Sequence, residues 1–312
     1  MAENKQTEDK NDNKKKKKGG GIAQTVLLIV AIAVFVISGV QLLGILKNYQ
    51  DSNNEYEEIA DDFTEPLVTP GISSEVPVSS SAATTDSAAP EAEAVEQTWP
   101  AIEDADPPLA VNFAALEAIN SDIVGWIYVD GEPRINYPIL HAEDNDYYLH
   151  RTFRKEHKYA GSIFMECSNN TDFADPDTII YGHNMRNGSM FGLLKLLAGK
   201  YESHPYFWIL TPKGSYRYHI YAIFKTKVNS SVYTLWPDNN DEFLQWEKNL
   251  QKASSVPNNV PLTKDDKTVI LSTCTSDKSQ RTVVIGKCVS TAKPTRENVT
   301  PAAETPTETP AA

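Results

Sequence analysis

Cysteine is scarce in this sequence: there are three among 312 residues, Cys167, Cys274 and Cys288. They form no CxxC pair and show no metal-ligand spacing, which excludes the common zinc-site patterns. One disulfide plus a free thiol would satisfy the arithmetic. Cys167 and Cys288 read more simply as buried, unpaired small hydrophobes. Lysine and arginine are missing altogether between Asp51 and Pro108, where fifteen Asp and Glu accumulate. The formal charge of −13 therefore belongs to that one segment, and the rest of the chain is nearly balanced. No basic stripe interleaved with aromatics runs through the remainder, which argues against nucleic acid as a ligand. Nor does any cluster of oxygen ligands resemble a calcium loop, so no metal and no cofactor is expected. Internal repeats are absent as well.

What is present begins with an uncharged run of twenty-five residues, Ile22 to Leu46. At roughly 1.5 Å per helical residue it spans about 37 Å, enough to cross a bilayer with some tilt. A cleaved signal peptide would have an apolar core of only about 7–15 residues, so a retained anchor is favoured. Five lysines, Lys14–Lys18, precede the run and acidic residues follow it. The positive-inside rule then puts the N-terminus in the cytoplasm and the rest outside the plasma membrane, in a single-pass protein. Five segments result: a basic cytoplasmic stretch (1–21), a transmembrane helix (22–46), an acidic disordered linker (47–107), a folded domain (108–291) and a disordered Pro/Thr-rich tail (292–312). The linker and tail are rich in Ser, Ala, Pro, Thr and Glu and bury too little apolar surface to offset chain entropy.

Within the folded domain, "LAVNFAALEAIN" has the apolar spacing of an opening helix. Eight strand-like runs follow: "IVGWIYV", "RINYPIL", "GSIFME", "DTIIYG", "YFWIL", "YRYHIYAIFKTKV", "KTVILSTC" and "RTVVIGKCV". Gly, Pro, Asn and Asp clusters separate them, which predicts a mainly β barrel or sandwich with inserted helices. "SMFGLLKLLAG" is one expected helix. Asn240 to Ser254 is another, with Phe243, Leu244, Trp246 and Leu250 as its buried stripe.

Cys274 ends the apolar run "TVIL" and could be a small hydrophobe or a nucleophile. A free thiol is only a few per cent thiolate at neutral pH and needs a base or a cation beside it. His183, in "IIYGHNM", also follows directly on an apolar strand. Arg281 opens the strand after Cys274, and a hairpin would return it to the same rim. Nucleophile, acid/base and oxyanion stabiliser would then meet at one edge of a sheet.

"LSTC", "YGHNM" and the arginine of "RTVVIGK" resemble the signature of sortases, the cysteine transpeptidases of Gram-positive cell surfaces. "NSDIVGWIYVDGEPRINYPIL", "EDNDYYLH", "GSIFME", "MFGLL" and the long helix between the sixth and seventh strands resemble class B in particular. The resemblance implies an eight-stranded closed β-barrel. It implies that Cys274 attacks a peptide carbonyl in the sorting signal of a secreted protein, that His183 moves the protons and that Arg281 steadies the tetrahedral intermediate. Asn145, Leu149 and Ser272 match positions lining the signal groove, with Tyr233 and Thr234 on the opposite wall. The acceptor would be an amine of a peptidoglycan precursor or of a pilin. Ser276 stands where some class B enzymes carry an acidic residue, so Asp277 is given no catalytic role. An inactive membrane-tethered scaffold and a cysteine hydrolase are the alternatives.

Overall fold

In a computed structural model of the protein, residues 19–67, 106–256, 259–274 and 279–292 are described. The chain divides into two compact units, Met1–Asp51 and Ser52–Ala312. Helix α1 (Gly19–Phe63) supplies the first unit and the opening turns of the second. Its large apolar side chains between Val26 and Leu46 are exposed, and this long apolar helix is a candidate membrane span.

The expected spacer starts too early in the sequence reading. Residues 47–63 are helical, and strand β1 (Thr64–Pro66) pairs antiparallel with β2 (Leu109–Val111). Ser52, Tyr56 and Ile59 recur at helical spacing and are buried. Composition summed over the whole acidic segment hid that stripe, which secures the helix end by tertiary packing. Expectations for 1–18, 68–105 and 293–312 fall outside the described residues.

After α2 (Phe113–Ile119), capped by the Asn112 carboxamide accepting from Ala115 N–H, all eight expected barrel strands form. They are β3 (Ile123–Val129), β4 (Asn136–Leu140), β5 (Ile163–Met165), β6 (Asp177–Gly182), β7 (Tyr206–Thr211), β8 (Gly214–Lys227), β9 (Thr268–Cys274) and β10 (Gln280–Ala292). They close in the order β10-β8-β7-β3-β4-β5-β6-β9. Closure leaves no free sheet edge among these strands. Two neighbour pairs are parallel, β4 with β5 and β6 with β9; the others are antiparallel.

Between β8 and β9 lie a 3-10 turn, η2 (Ser231–Tyr233), and helix α3 (Asp241–Lys252). Asn240 caps α3, accepting from Phe243 N–H, and Asp241, Glu242 and Lys252 suit the helix dipole at either end. The stripe that α3 buries is Phe243, Trp246, Glu247 and Leu250. Leu244, expected to be buried, is only half-buried, and the carboxylic residue Glu247 faces the barrel instead. Apolar counting favours a leucine over a glutamate, but the helix's rotation against the barrel decides which faces in. The "SMFGLLKLLAG" segment is a 3-10 turn, η1 (Leu194–Gly199), rather than an α-helix. Met190, the second residue of this segment, has positive φ, so a regular helix cannot begin before Phe191.

Two apolar layers follow from strand alternation. Ile180, Leu271 and Val284 face one side, and Ile179, Ile270, Val283 and Ile285 face the other. The second set packs with Tyr221, Val232, Phe243, Trp246 and Leu250 beneath α3.

Glu247 is fully buried in that outer layer, where its Oε1 accepts from Thr268 Oγ1 at 2.6 Å. Burial pushes its carboxyl up to about 8 against the Thr268 bond, which acts the other way. A carboxyl that titrates higher folded than unfolded contributes most below the unfolded value near 4.5, and that contribution is lost as pH rises towards 8. Glu247→Gln keeps an acceptor for Thr268 and removes the titration. The variant's melting temperature is expected to match wild type near pH 4.5 and exceed it at pH 8, where the unfolding free energies differ by on the order of a few kcal/mol. Parallel melting curves across that range would refute this account of Glu247.

Candidate active site

The rim of the barrel is levelled by hydrogen-bond register. In the parallel pair β6–β9, Asp177 lies opposite Thr268 and Gly182 opposite Thr273. His183, the next residue after β6, is therefore level with the backbone of Cys274, the last residue of β9. The β9–β10 pairing is antiparallel and sets Arg281 opposite Cys274. Three strand termini thus share one edge. Gly182 permits the close approach there, since a Cβ on it would sit 2.4 Å from Ile163 Cδ1 and 2.8 Å from the Phe191 ring.

The outer face that α3 covers continues past the helix as Tyr181 and Ser272, two residues beyond Ile179 and Ile270. There it becomes the floor of a cleft of about 230 Å³. Asn145, Leu149, Phe164, Tyr181, His183, Ser272 and Arg281 line it. Tyr233, on η2, closes over the floor with its hydroxyl 2.9 Å from Ser272 Oγ.

His183 is held from the loop between β4 and β5. Its Nε2 lies 2.8 Å from the Leu149 carbonyl oxygen. A carbonyl only accepts, so Nε2 carries a hydrogen, and in the neutral ring the lone pair is on Nδ1. His150 and Tyr159, from the same loop, each stack on the imidazole with centroids 5.7 Å away. Burial holds the His183 imidazole below its ordinary pKa, the Leu149 bond opposes this, and the nearby His150 and Arg281 add to the lowering. Arg281 is half-buried, with Nη1 donating to its neighbour's carbonyl, Gln280 O, at 2.9 Å.

A second network braces the floor. Glu166, just after β5, accepts from Asn145 Nδ2 on both oxygens at 2.8 Å and from the Tyr181 hydroxyl at 2.9 Å. Asn145 Oδ1 accepts from Cys167 N–H at 2.9 Å. These donors hold the Glu166 carboxyl below its ordinary range in spite of burial.

Comparison with known proteins agrees with this geometry. The sortase domain family model matches residues 131–289. Sortase B of Listeria monocytogenes is 37% identical over 180 residues, covering 56% of this chain and 72% of that protein. Sortase B of Staphylococcus aureus is 32% identical over 182 residues, covering 57% and 74%. The structure of a Staphylococcus aureus sortase B–substrate complex superposes with a TM-score of 0.54 at 32% identity, covering 56% of this chain and 83% of that one. This chain belongs to the class B sortases.

As a class B sortase it is a cysteine transpeptidase on a closed eight-stranded barrel. Of the positions singled out from sequence, His183, Arg281, Asn145, Leu149 and Ser272 share the cleft, and the backbone of Cys274 pairs with Arg281 at its edge. Tyr233 reaches the floor through Ser272, whereas Thr234 is exposed beside it and outside the lining. Sequence reasoning missed Glu166, Tyr181, His150 and Tyr159. A lone carboxylate ending the apolar "SIFM" was a usable signal for Glu166; nothing local marks the two rings on His183. Cys167 and Cys288 are free thiols, but half-buried rather than buried. The Cys167 thiol donates to Glu166 Oε1 at 3.2 Å, and Cys288 Sγ lies 3.7 Å from Ser290 O, so both use their weak polarity.

His150→Gln removes one like-charged neighbour from His183 while burial, the larger cause, persists. An NMR titration of the His183 ring is expected to move upward in this variant yet stay below an ordinary histidine. An unchanged or lowered value would show that His150 exerts no electrostatic influence there.

Proposed function

We propose that Cys274, His183 and Arg281 carry out acyl transfer from the sorting signal of a secreted protein to an amine. The observation supporting this most directly is the shared register, with Gly182 opposite Thr273 and Arg281 opposite Cys274 at the mouth of a cleft that also holds His183. The Cys274 thiolate adds to the scissile carbonyl carbon, and the charge that develops on oxygen is met by the Arg281 guanidinium. The C–N bond then breaks, and the protonated His183 ring gives its Nδ1 hydrogen to the departing amine, leaving a thioester. In the second half an acceptor amine attacks that thioester, neutral Nδ1 takes its proton, and the C–S bond breaks. Burial, which lowers the His183 pKa, disfavours its imidazolium form at neutral pH.

Asn145, Leu149, Ser272 and Tyr233 line or close the groove for the signal peptide. The acceptor is a peptidoglycan-precursor amine or a pilin lysine. The long apolar helix anchors the protein in the plasma membrane, with Lys14–Lys18 inside and the catalytic domain outside. The acidic segment after it tethers the domain close to membrane-bound substrates and raises their effective concentration.

The test uses the full chain in detergent with a library of sorting-motif peptides and several candidate amines, followed by intact-mass measurement. Wild type is expected to gain an acyl adduct that amines discharge, and Cys274→Ala to gain none. Absence of any adduct across the library would favour an inactive scaffold, and discharge by water but never by amines a hydrolase. Arg281→Lys retains the charge without the planar guanidinium fork, so turnover should fall about 10²-fold with the fold intact. Near-wild-type turnover in that variant would remove Arg281 from the mechanism.

A further inference from the structure

The loop that cradles His183 is itself gripped from the far side by the end of α1. Tyr56 is buried there at 3% exposure. Its hydroxyl donates to the Gly161 carbonyl at 2.8 Å, lies 2.9 Å from Ser162 Oγ, and accepts from Phe153 N–H at 3.2 Å. Ser162 Oγ in turn donates to the Arg151 carbonyl at 2.7 Å, and Ser162 N–H to the Tyr148 carbonyl at 3.0 Å. Gly161 sits at φ +57, and a Cβ on it would lie 2.4 Å from Leu149 O and 2.7 Å from Tyr148 O. Its backbone is wedged directly against the carbonyl that receives His183 Nε2–H at 2.8 Å. The gap between Gly161 and the Leu149 oxygen is too narrow for even a methyl group, so a shift of Gly161 towards it is passed on to that oxygen.

We propose that Tyr56 is a positioning residue for His183, acting through Gly161 and Ser162 on the Leu149 carbonyl. The proposal rests on the reading of His183 as the proton carrier. Glu58 provides an internal contrast. It ties α1 to the same loop through Arg154 Nη2 at 2.9 Å, but on the surface and away from Leu149.

The experiment compares full-chain wild type, Tyr56→Phe, Ser162→Ala and Glu58→Gln by pH-dependent turnover per titrated active thiol, with NMR of the His183 ring. Tyr56→Phe removes one oxygen, and Phe153 N–H and Gly161 O lose their partner. The expected result is about a ten-fold fall in kcat with KM little changed, as misplacement of one catalytic group gives. Weakening the Leu149 bond also takes away what holds the His183 pKa up, so its titration should move to lower pH. Ser162→Ala should show a smaller change of the same kind, and Glu58→Gln none. Should Tyr56→Phe not fold, the Ser162→Ala pH profile decides. A purely structural Tyr56 would lower the fraction of active enzyme while leaving kcat per active thiol and the His183 titration unchanged, and that result overturns the assignment. Equal losses in Glu58→Gln would overturn it too. A wild-type chain that forms no thioester counts instead against the transpeptidase site, independently of Tyr56.

Discussion

Parallel pairing of β6 with β9 is the constraint on which the rest of this molecule depends. Strands about 4.8 Å apart in fixed register carry their last residues to the same height. Because side chains alternate along a strand, a slip of one residue would put Tyr181 and Ser272 on opposite faces. The register is held by burial on both sides: Ile180 and Leu271 pack towards one layer, Ile179 and Ile270 towards the layer beneath α3. The antiparallel return of β10 brings Arg281 level with Cys274. Three strand termini thereby carry Cys274, His183 and Arg281 to one rim, the arrangement from which the proposed acyl transfer is argued.

The rim alone does not orient the imidazole. Orientation comes from the loop between β4 and β5, which supplies the Leu149 carbonyl and the rings of His150 and Tyr159 around His183. The same loop accepts the end of α1 through buried Tyr56 and through Glu55, which takes the Arg154 N–H. On the other side of the cleft, Glu166 joins Asn145 to Tyr181, and Tyr233 meets Ser272. These contacts remove rotational freedom from His183 and from the side chains lining the cleft, the kind of preorganisation that lowers a barrier.

Much of this was legible in the amino-acid order. Every barrel strand was marked by an apolar run bounded by turn residues, and Asn240 announced the start of α3. The errors have different causes. Leu244 was chosen over Glu247 because only packing against the barrel sets the rotation of α3. η1 was read as a regular helix because apolar spacing does not reveal a positive φ at Met190. The stripe of Ser52, Tyr56 and Ile59 is present locally but was lost within a composition summed over the acidic segment. Thr234 was drawn into the cleft by adjacency to Tyr233, yet the turn of η2 leaves it exposed.

By itself the sequence determined which residue types end which strands, because hydrophobic periodicity and turn chemistry are local. That was enough to set a thiol, an imidazole and a guanidinium at strand termini, and an uncharged run of helical length near the N-terminus. Only the tertiary structure decided what surrounds them: a carbonyl on Nε2, two rings against the imidazole, a carboxylate under the cleft and a tyrosine about a hundred residues earlier bracing the loop. Contacts across such distances are fixed by barrel closure and side-chain packing, which a one-dimensional pattern does not encode.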